Sequence, residues 1–156
     1  MSQAKVGFFC SPIGLGHATR DVAVGQFLEK TLVEFVSGNG AAKLLLEYGF
    51  SVNDVYMPPK FDVENGILHR SLKWLWKYYQ YYKDCKKIAE RIVEKQNPRL
   101  IVSDEDFASL TISQQRGIPS ILITDILKTR FTKGIGSLVE KKMNQSMKEI
   151  IKNAMR

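Results

Sequence analysis

Cys10-Ser11-Pro12-Ile13-Gly14-Leu15-Gly16-His17-Ala18-Thr19-Arg20 is the stretch on which the fold turns. It joins an apolar run, Val6-Gly7-Phe8-Phe9-Cys10, to a helical pattern that begins near Ala18. A five-residue run with no polar alternation reads as a strand covered on both faces, the condition of strands in a parallel sheet. Two glycines allow a turn that a β-carbon would obstruct. The helix that follows points free N–H groups and the positive end of its dipole back at the turn, which makes a seat for a phosphate or another anion.

Outward from this turn the alternation of strand and helix continues. Residues 18 to 30 form the first expected helix, with Val22, Ala23, Gln26 and Phe27 at helical spacing, and Leu32 to Val36 the second strand. Ser37-Gly38-Asn39-Gly40 reads as a turn, and Ala41 to Tyr48 as a short helix closed by Gly49. Phe50 to Met57 is a third strand, ended by Pro58-Pro59, which cannot donate ladder hydrogen bonds. Asp62 to Gly66 is a polar loop, and 67–96, free of Pro and Gly, is one long helix or two with a kink. Leu100 to Ser103, Phe107 to Arg116 before Gly117, Ser120 to Thr124 and Gly134 to Met155 follow as strand, helix, strand and helix. The pattern predicts an α/β, Rossmann-like, doubly wound parallel sheet of five strands in the order 3-2-1-4-5, flanked by helices. Ligands of such sheets bind beyond the carboxyl ends of the strands at the switch point, between the first and fourth strands. That brings Gly14-Leu15-Gly16-His17 beside Ser103-Asp104-Glu105-Asp106.

Composition bounds the reading. The chain has 156 residues, 44% of them apolar, enough for one packed domain. No apolar run reaches the about 20 residues of a membrane span, and no signal peptide is read at the start; a cytoplasmic protein is expected. Cys10 and Cys85 lie far apart without metal-ligand spacing, and reduced thiols are expected. The net charge of +7 is uneven: up to Gly66 there are 5 Lys/Arg against 7 Asp/Glu, and from Ile67 onward 18 against 9. The basic half is compatible with nucleic acid, acidic headgroups or phosphorylated ligands. No nucleic-acid-binding motif accompanies it, so nucleic acid is not expected.

The glycine turn does not suit a dinucleotide. The fingerprint G-x-G-x-x-G is met at Gly14 and Gly16 but Thr19 stands third, and Ser37-Gly38-Asn39 stands where a ribose-binding acid belongs. No Walker A loop occurs. Instead, G-L-G-H-A-T-R resembles the first loop of glycosyltransferases with the GT-B fold, and is most similar to the family 28-like group of lipid-linked N-acetylglucosaminyltransferases and diacylglycerol galactosyltransferases. Residues 33 to 50, V-E-F-V-S-G-N-G-A-A-K-L-L-L-E-Y-G-F, and the segment from Pro98 to Pro119, with P-R-L-I-V-S-D-E-D and R-G-I-P, resemble the same group in order. Asp54 to Gln96 is the least typical stretch.

The resemblance implies an amino-terminal, acceptor-binding domain spanning 1–156, a truncated transferase or one subunit of a split enzyme, with a nucleotide-sugar donor held mostly by a further domain or a separate chain. The acceptor would be a sugar or a lipid-linked sugar. No cofactor and no metal are implied. His17 is implied as the catalytic base that takes the acceptor hydroxyl's proton; the helix amino terminus should lower its pKa and favour the neutral form. Gly14, Gly16, Thr19, Arg20, Asp104 and Glu105 are the substrate-binding candidates. Each has a plainer reading. Thr19 can cap its helix, Arg20 can pair with Asp21 or Glu64, and Asp104 or Asp106 can cap the following helix. Asp125 is a possible rim contact, and His69 a surface residue of a helix. The alternative to an enzyme is a non-catalytic Rossmann-like module for a phosphorylated ligand or a partner subunit.

In the long helix, Trp74, Trp76, Tyr78, Tyr79, Tyr81 and Tyr82 alternate with lysines, and the apolar arc spans roughly 200°, wider than the ~100° stripe of a surface helix. Such an arc needs cover beyond the sheet. Further protein, a homodimer mate, or peripheral contact with a membrane surface through 67–96 would supply it.

Overall fold

The computed structural model describes residues 6–60, 63–64, 67–68, 70–125, 128–129 and 136–154. Strand β1 (Val6–Cys10) is followed by α1 (Leu15–Gly25), β2 (Val33–Ser37), α2 (Asn39–Glu47) and β3 (Ser51–Asp54). A hairpin of β4 (Val63–Glu64) and β5 (Ile67–Leu68) precedes α3 (Ser71–Gln96), β6 (Leu100–Asp104), α4 (Phe107–Arg116), β7 (Ser120–Ile123) and α5 (Gly136–Ala154). The main sheet has the order β3-β2-β1-β6-β7, every pair parallel, which is the expected 3-2-1-4-5.

Side chains of β1 alternate between two cores, as the strand period of two requires. Phe8 and Cys10 face α1 and α2 together with Phe35, Phe50, Ala18, Val22 and Leu45. Phe9 faces α3 and α4 with Val36, Ile101, Ala89, Val93 and Ile112. Burial on both sides is why these strands carry no polar alternation. Phe8 stacks on Phe35 at 4.6 Å, and Phe35 meets Phe50 edge-on at 4.9 Å. α5 packs against α4 and β7, while its Met143 touches the Trp74–Leu75 pair of α3.

Several boundaries differ from the sequence reading. α1 starts three residues earlier, at Leu15, and ends at Gly25 in tighter turns, Phe27 N–H to Val24 O and Leu28 N–H to Gly25 O. Phe27, expected on the apolar face, is thereby turned out and 92% exposed. β3 stops at Asp54 because the N–H groups of Val55 and Tyr56 both bond the Ser37 carbonyl, folding the chain over the end of β2. The stretch read as a polar loop running into a helix at 67 instead contains the β4–β5 hairpin, paired Val63 with Leu68 and Glu64 with Ile67. α3 starts only after Arg70, whose backbone is left-handed at φ 49°. His69 lies outside the described residues, as does the start read for α5 at Gly134. Both cysteines are free and buried, on opposite faces of the sheet. Among the described residues no helix is long and apolar enough to cross a membrane.

Candidate active site

The parallel register sets Cys10 opposite Asp104 at the carboxyl ends of β1 and β6. One further ladder bond, Ser11 N–H to Asp104 O at 2.9 Å, carries the pairing into the glycine turn. The turn enters α1 through Gly14, at φ 81°, a conformation in which glycine is unstrained. Helical spacing then places His17 and Arg20, three residues apart, on one face of α1 above Asp104.

These three side chains close on one another. His17 Nδ1 lies 3.0 Å from Asp104 Oδ1. Arg20 donates through Nε to Asp104 Oδ2 at 3.0 Å and through Nη2 to Oδ1 at 2.5 Å, a two-pronged grip. Arg20 Nη2 also lies 3.2 Å from His17 Nδ1. A carboxylate only accepts, so the shorter contact, with Asp104, puts a proton on Nδ1; Arg20 Nη2, itself a donor, is then a close neighbour of Nδ1 and not its hydrogen-bond partner, and Nε2 is the outward nitrogen. On that side Glu105 Oε2 stands 3.4 Å from Nε2. Glu105 itself is held in a left-handed conformation, φ 53°, by its N–H to Ile123 O and by Oε1, which accepts from Thr124 Oγ1 and the Asp125 N–H. Such a backbone costs on the order of 1 kcal/mol and persists only where surroundings impose it.

The charges follow from these contacts. The hydrogen bond to Asp104 raises the His17 pKa above its ordinary value, against the opposing effects of burial and of Arg20. This corrects the expectation that the helix amino terminus lowers it: a dipole end is a diffuse partial charge, whereas Asp104 is a full charge in direct contact. Burial pushes the Asp104 carboxyl up, but hydrogen bonds from His17 and Arg20 overrule it and hold the carboxyl below the usual range. Burial, followed by the hydrogen bond with Asp125, raises Glu105.

The other candidates separate. Asp104 is fully buried with both oxygens engaged, so its place is behind His17 rather than at an open surface. Arg20 pairs with it, not with Asp21; the Glu64 side chain lies outside the described residues. Thr19 is exposed and donates to the Leu15 carbonyl at 2.9 Å, so its hydroxyl serves its own helix. Among the described residues, a Cβ at either Gly14 or Gly16 would meet nothing within 4 Å. Gly16 has no positive φ, so nothing among the described residues requires glycine there. Asp106, not Asp104, caps α4, accepting from the N–H groups of Ala108 and Ser109. It also accepts from Tyr56 Oη at 2.7 Å. Asp125 sits exposed at the rim against Glu105. Among the described residues, no group of three or more His, Cys, Asp or Glu is placed to hold a metal. A small cavity of about 30 Å³ adjoins the site between Pro12, Tyr78, Tyr82, Glu105 and Phe107.

One residue of the site escaped the sequence reading. Asp21, one turn beyond His17, is fully buried beside Cys10 and Asp104, with neither oxygen hydrogen-bonded among the described residues. Its signal was present in the period of α1, whose buried stripe runs Ala18, Asp21, Val22, Gly25.

No family model and no curated protein sequence matches the chain. Solved structures do match in fold. The calicheamicin glycosyltransferase CalG4 is 15% identical over 92% of this chain and 36% of its own, with a TM-score of 0.57. MurG of Acinetobacter baumannii is 13% identical over 88% of this chain and 39% of its own, at 0.55. A UDP-GlcNAc 2-epimerase from Neisseria meningitidis, solved bound to UDP-GlcNAc, is 13% identical over 94% and 38%, at 0.57. The chain thus spans less than two-fifths of the length of each, and it shares with glycosyltransferases and with an epimerase the fold of one Rossmann-like domain.

Proposed function

We propose that this chain is the acceptor-binding domain of a GT-B-type glycosyltransferase and that His17 is its general base. The observation that carries the reading is the His17–Asp104 contact at the sheet's switch point. With the Nδ1 proton held by Asp104, Nε2 is the free base, and the raised pKa makes it the stronger one. An acceptor hydroxyl beside Nε2 attacks the anomeric carbon of the donor sugar. The new C–O bond forms as the bond to the nucleotide phosphate breaks, and the hydroxyl proton passes to Nε2. Asp104 stabilises the imidazolium that results, and Arg20 fixes Asp104. Glu105 and the open Gly14–Gly16 backbone contact the acceptor. The nucleotide-sugar donor is held by a second nucleotide-binding domain, in the same polypeptide or in a separate subunit.

A lipid-linked acceptor, as in the family 28-like group, draws support from α3. Trp76 and Tyr79 stand 63% and 52% exposed, and Lys83 lies over the Tyr79 ring. Aromatic rings among lysines suit the headgroup zone of an anionic membrane.

The test is sugar transfer by the complete transferase containing this chain, with and without His17→Ala. His17 is at the rim of the core, so the variant should keep its circular dichroism and lose transfer by roughly 10²–10⁴-fold. Turnover within a few-fold of the unaltered protein contradicts the reading.

A further inference from the structure

The site includes a buried acid that the transfer step does not use. The Asp21 side chain is fully buried under α1, on the face that packs against β1. Among the described residues its two oxygens have no hydrogen-bond partner, and neither does Ser37 Oγ at the end of β2. The groups that face it are the Cys10 thiol from β1, the Asp104 carboxylate from β6, and His17 and Arg20 from its own helix. The Ser37 hydroxyl is a neighbour of the same thiol. The only described cations in this set are Arg20 and protonated His17, and both are already committed to Asp104. A carboxylate placed there would carry its charge in a dry environment next to another carboxylate, faced only by the weak donor of the Cys10 thiol, which disfavours the charged form.

We propose that Asp21 is a proton-bearing positioning residue, whose neutral carboxyl group lies beside Asp104 and offers it an O–H. Of the two neighbouring aspartates only Asp104 is then charged, and its geometry toward Nδ1 is set by Asp21 as well as by Arg20. The shift that burial imposes agrees with this: desolvation, ahead of every other influence, raises the Asp21 pKa to about 8. Cys10 fits the same picture as a neutral thiol, since burial pushes it far up. As the pH passes the Asp21 value, a second negative charge appears beside Asp104 and strengthens the hold on the His17 proton. The inference builds on the proposed role of His17 but is read without any transfer assay.

The experiment is carbon and nitrogen NMR of Asp21 and His17 between pH 5 and 9, in the unaltered chain, Asp21→Asn and Asp21→Leu. The Asp21 carboxyl should stay protonated at pH 6 and titrate near 8, with a second inflection of the His17 ring at the same pH. Asp21→Asn keeps a donor, so it should retain the main His17 inflection and lose the upper one. Asp21→Leu removes the donor and should move the main inflection up by about half a unit. If the Leu variant does not fold, the unaltered chain and the Asn variant decide. An Asp21 carboxyl already ionised at pH 6 overturns the proposal, as do identical His17 titrations in the unaltered chain and Asp21→Asn. Should Asp21 titrate as stated while His17→Ala still transfers sugar, only the reading of His17 as base fails.

Discussion

Asp104 and Asp106 stand two residues apart on one turn, and both are buried. They have nonetheless taken opposite parts. Asp104 occupies the last ladder position of β6, on the same face as Val102, and looks toward α1. There it meets a guanidinium and an imidazole, and its pKa falls despite burial. Asp106 lies past the turn toward α3, where it accepts from Tyr56 Oη and two helix N–H groups. Those donors carry no full charge, and burial leaves its pKa raised. The pair teaches that hydrogen bonds from neutral donors leave a buried carboxyl's pKa raised here, whereas hydrogen bonds from charged groups lower it. It also separates a carboxylate that orients a reactive ring from one that ends a helix.

The difference can be broken from either side. Asp104→Asn keeps the volume but removes the charge that holds the Nδ1 proton, so transfer should fall by roughly 10²–10³-fold in steady-state assays of the complete transferase. The same variant tests the linkage between charge and stability. His17 has a folded-state pKa above its unfolded value, so the ion pair's stabilisation is fully present below about pH 6.5 and is lost as pH rises through the folded value. Unfolding midpoints of the unaltered chain should carry that component of slope, and those of Asp104→Asn should not. Asp106→Ala should do the reverse. It removes a cap and leaves Tyr56 Oη without its acceptor, for a loss of about 1–3 kcal/mol in urea unfolding, while transfer per folded molecule stays within a few-fold. A large loss of turnover in that variant would erase the distinction between the two acids.

Gly16→Ala gives the smallest effect and a sign of its own. Alanine is favoured over glycine inside a helix and no described residue fills the space in front of Gly16, so the fold should gain about 0.5–1 kcal/mol. If the open backbone exists for an acceptor to approach, KM should rise in the more stable protein. An unchanged KM would leave Gly16 without a role.

The sheet was legible because its central strands are apolar on both faces: V-G-F-F-C and L-I-V-S announce themselves, and the strand order follows from the alternation with helices. The nearness of His17 to Asp104 was also legible, since both sit at the switch point. Two-residue strands such as β4 and β5 carry no period to read. The end of α1 at Gly25 was hidden because Phe27 continues the helical spacing while pointing into solvent. Nothing in D-E-D says which acid faces α1; only the register of β6 against β1 decides it. The sign of the His17 shift likewise depends on a 3.0 Å contact that spacing cannot supply.

Nitrogen NMR of the His17 ring tests the central claim most directly, because it reads both the proton's position and its affinity. A pKa above 6.5 with the neutral ring protonated at Nδ1 is expected in the unaltered chain and in Asp106→Ala, and a fall to 6.5 or below in Asp104→Asn. A pKa at or below 6.5 in the unaltered chain, or a neutral ring protonated at Nε2, would contradict the account.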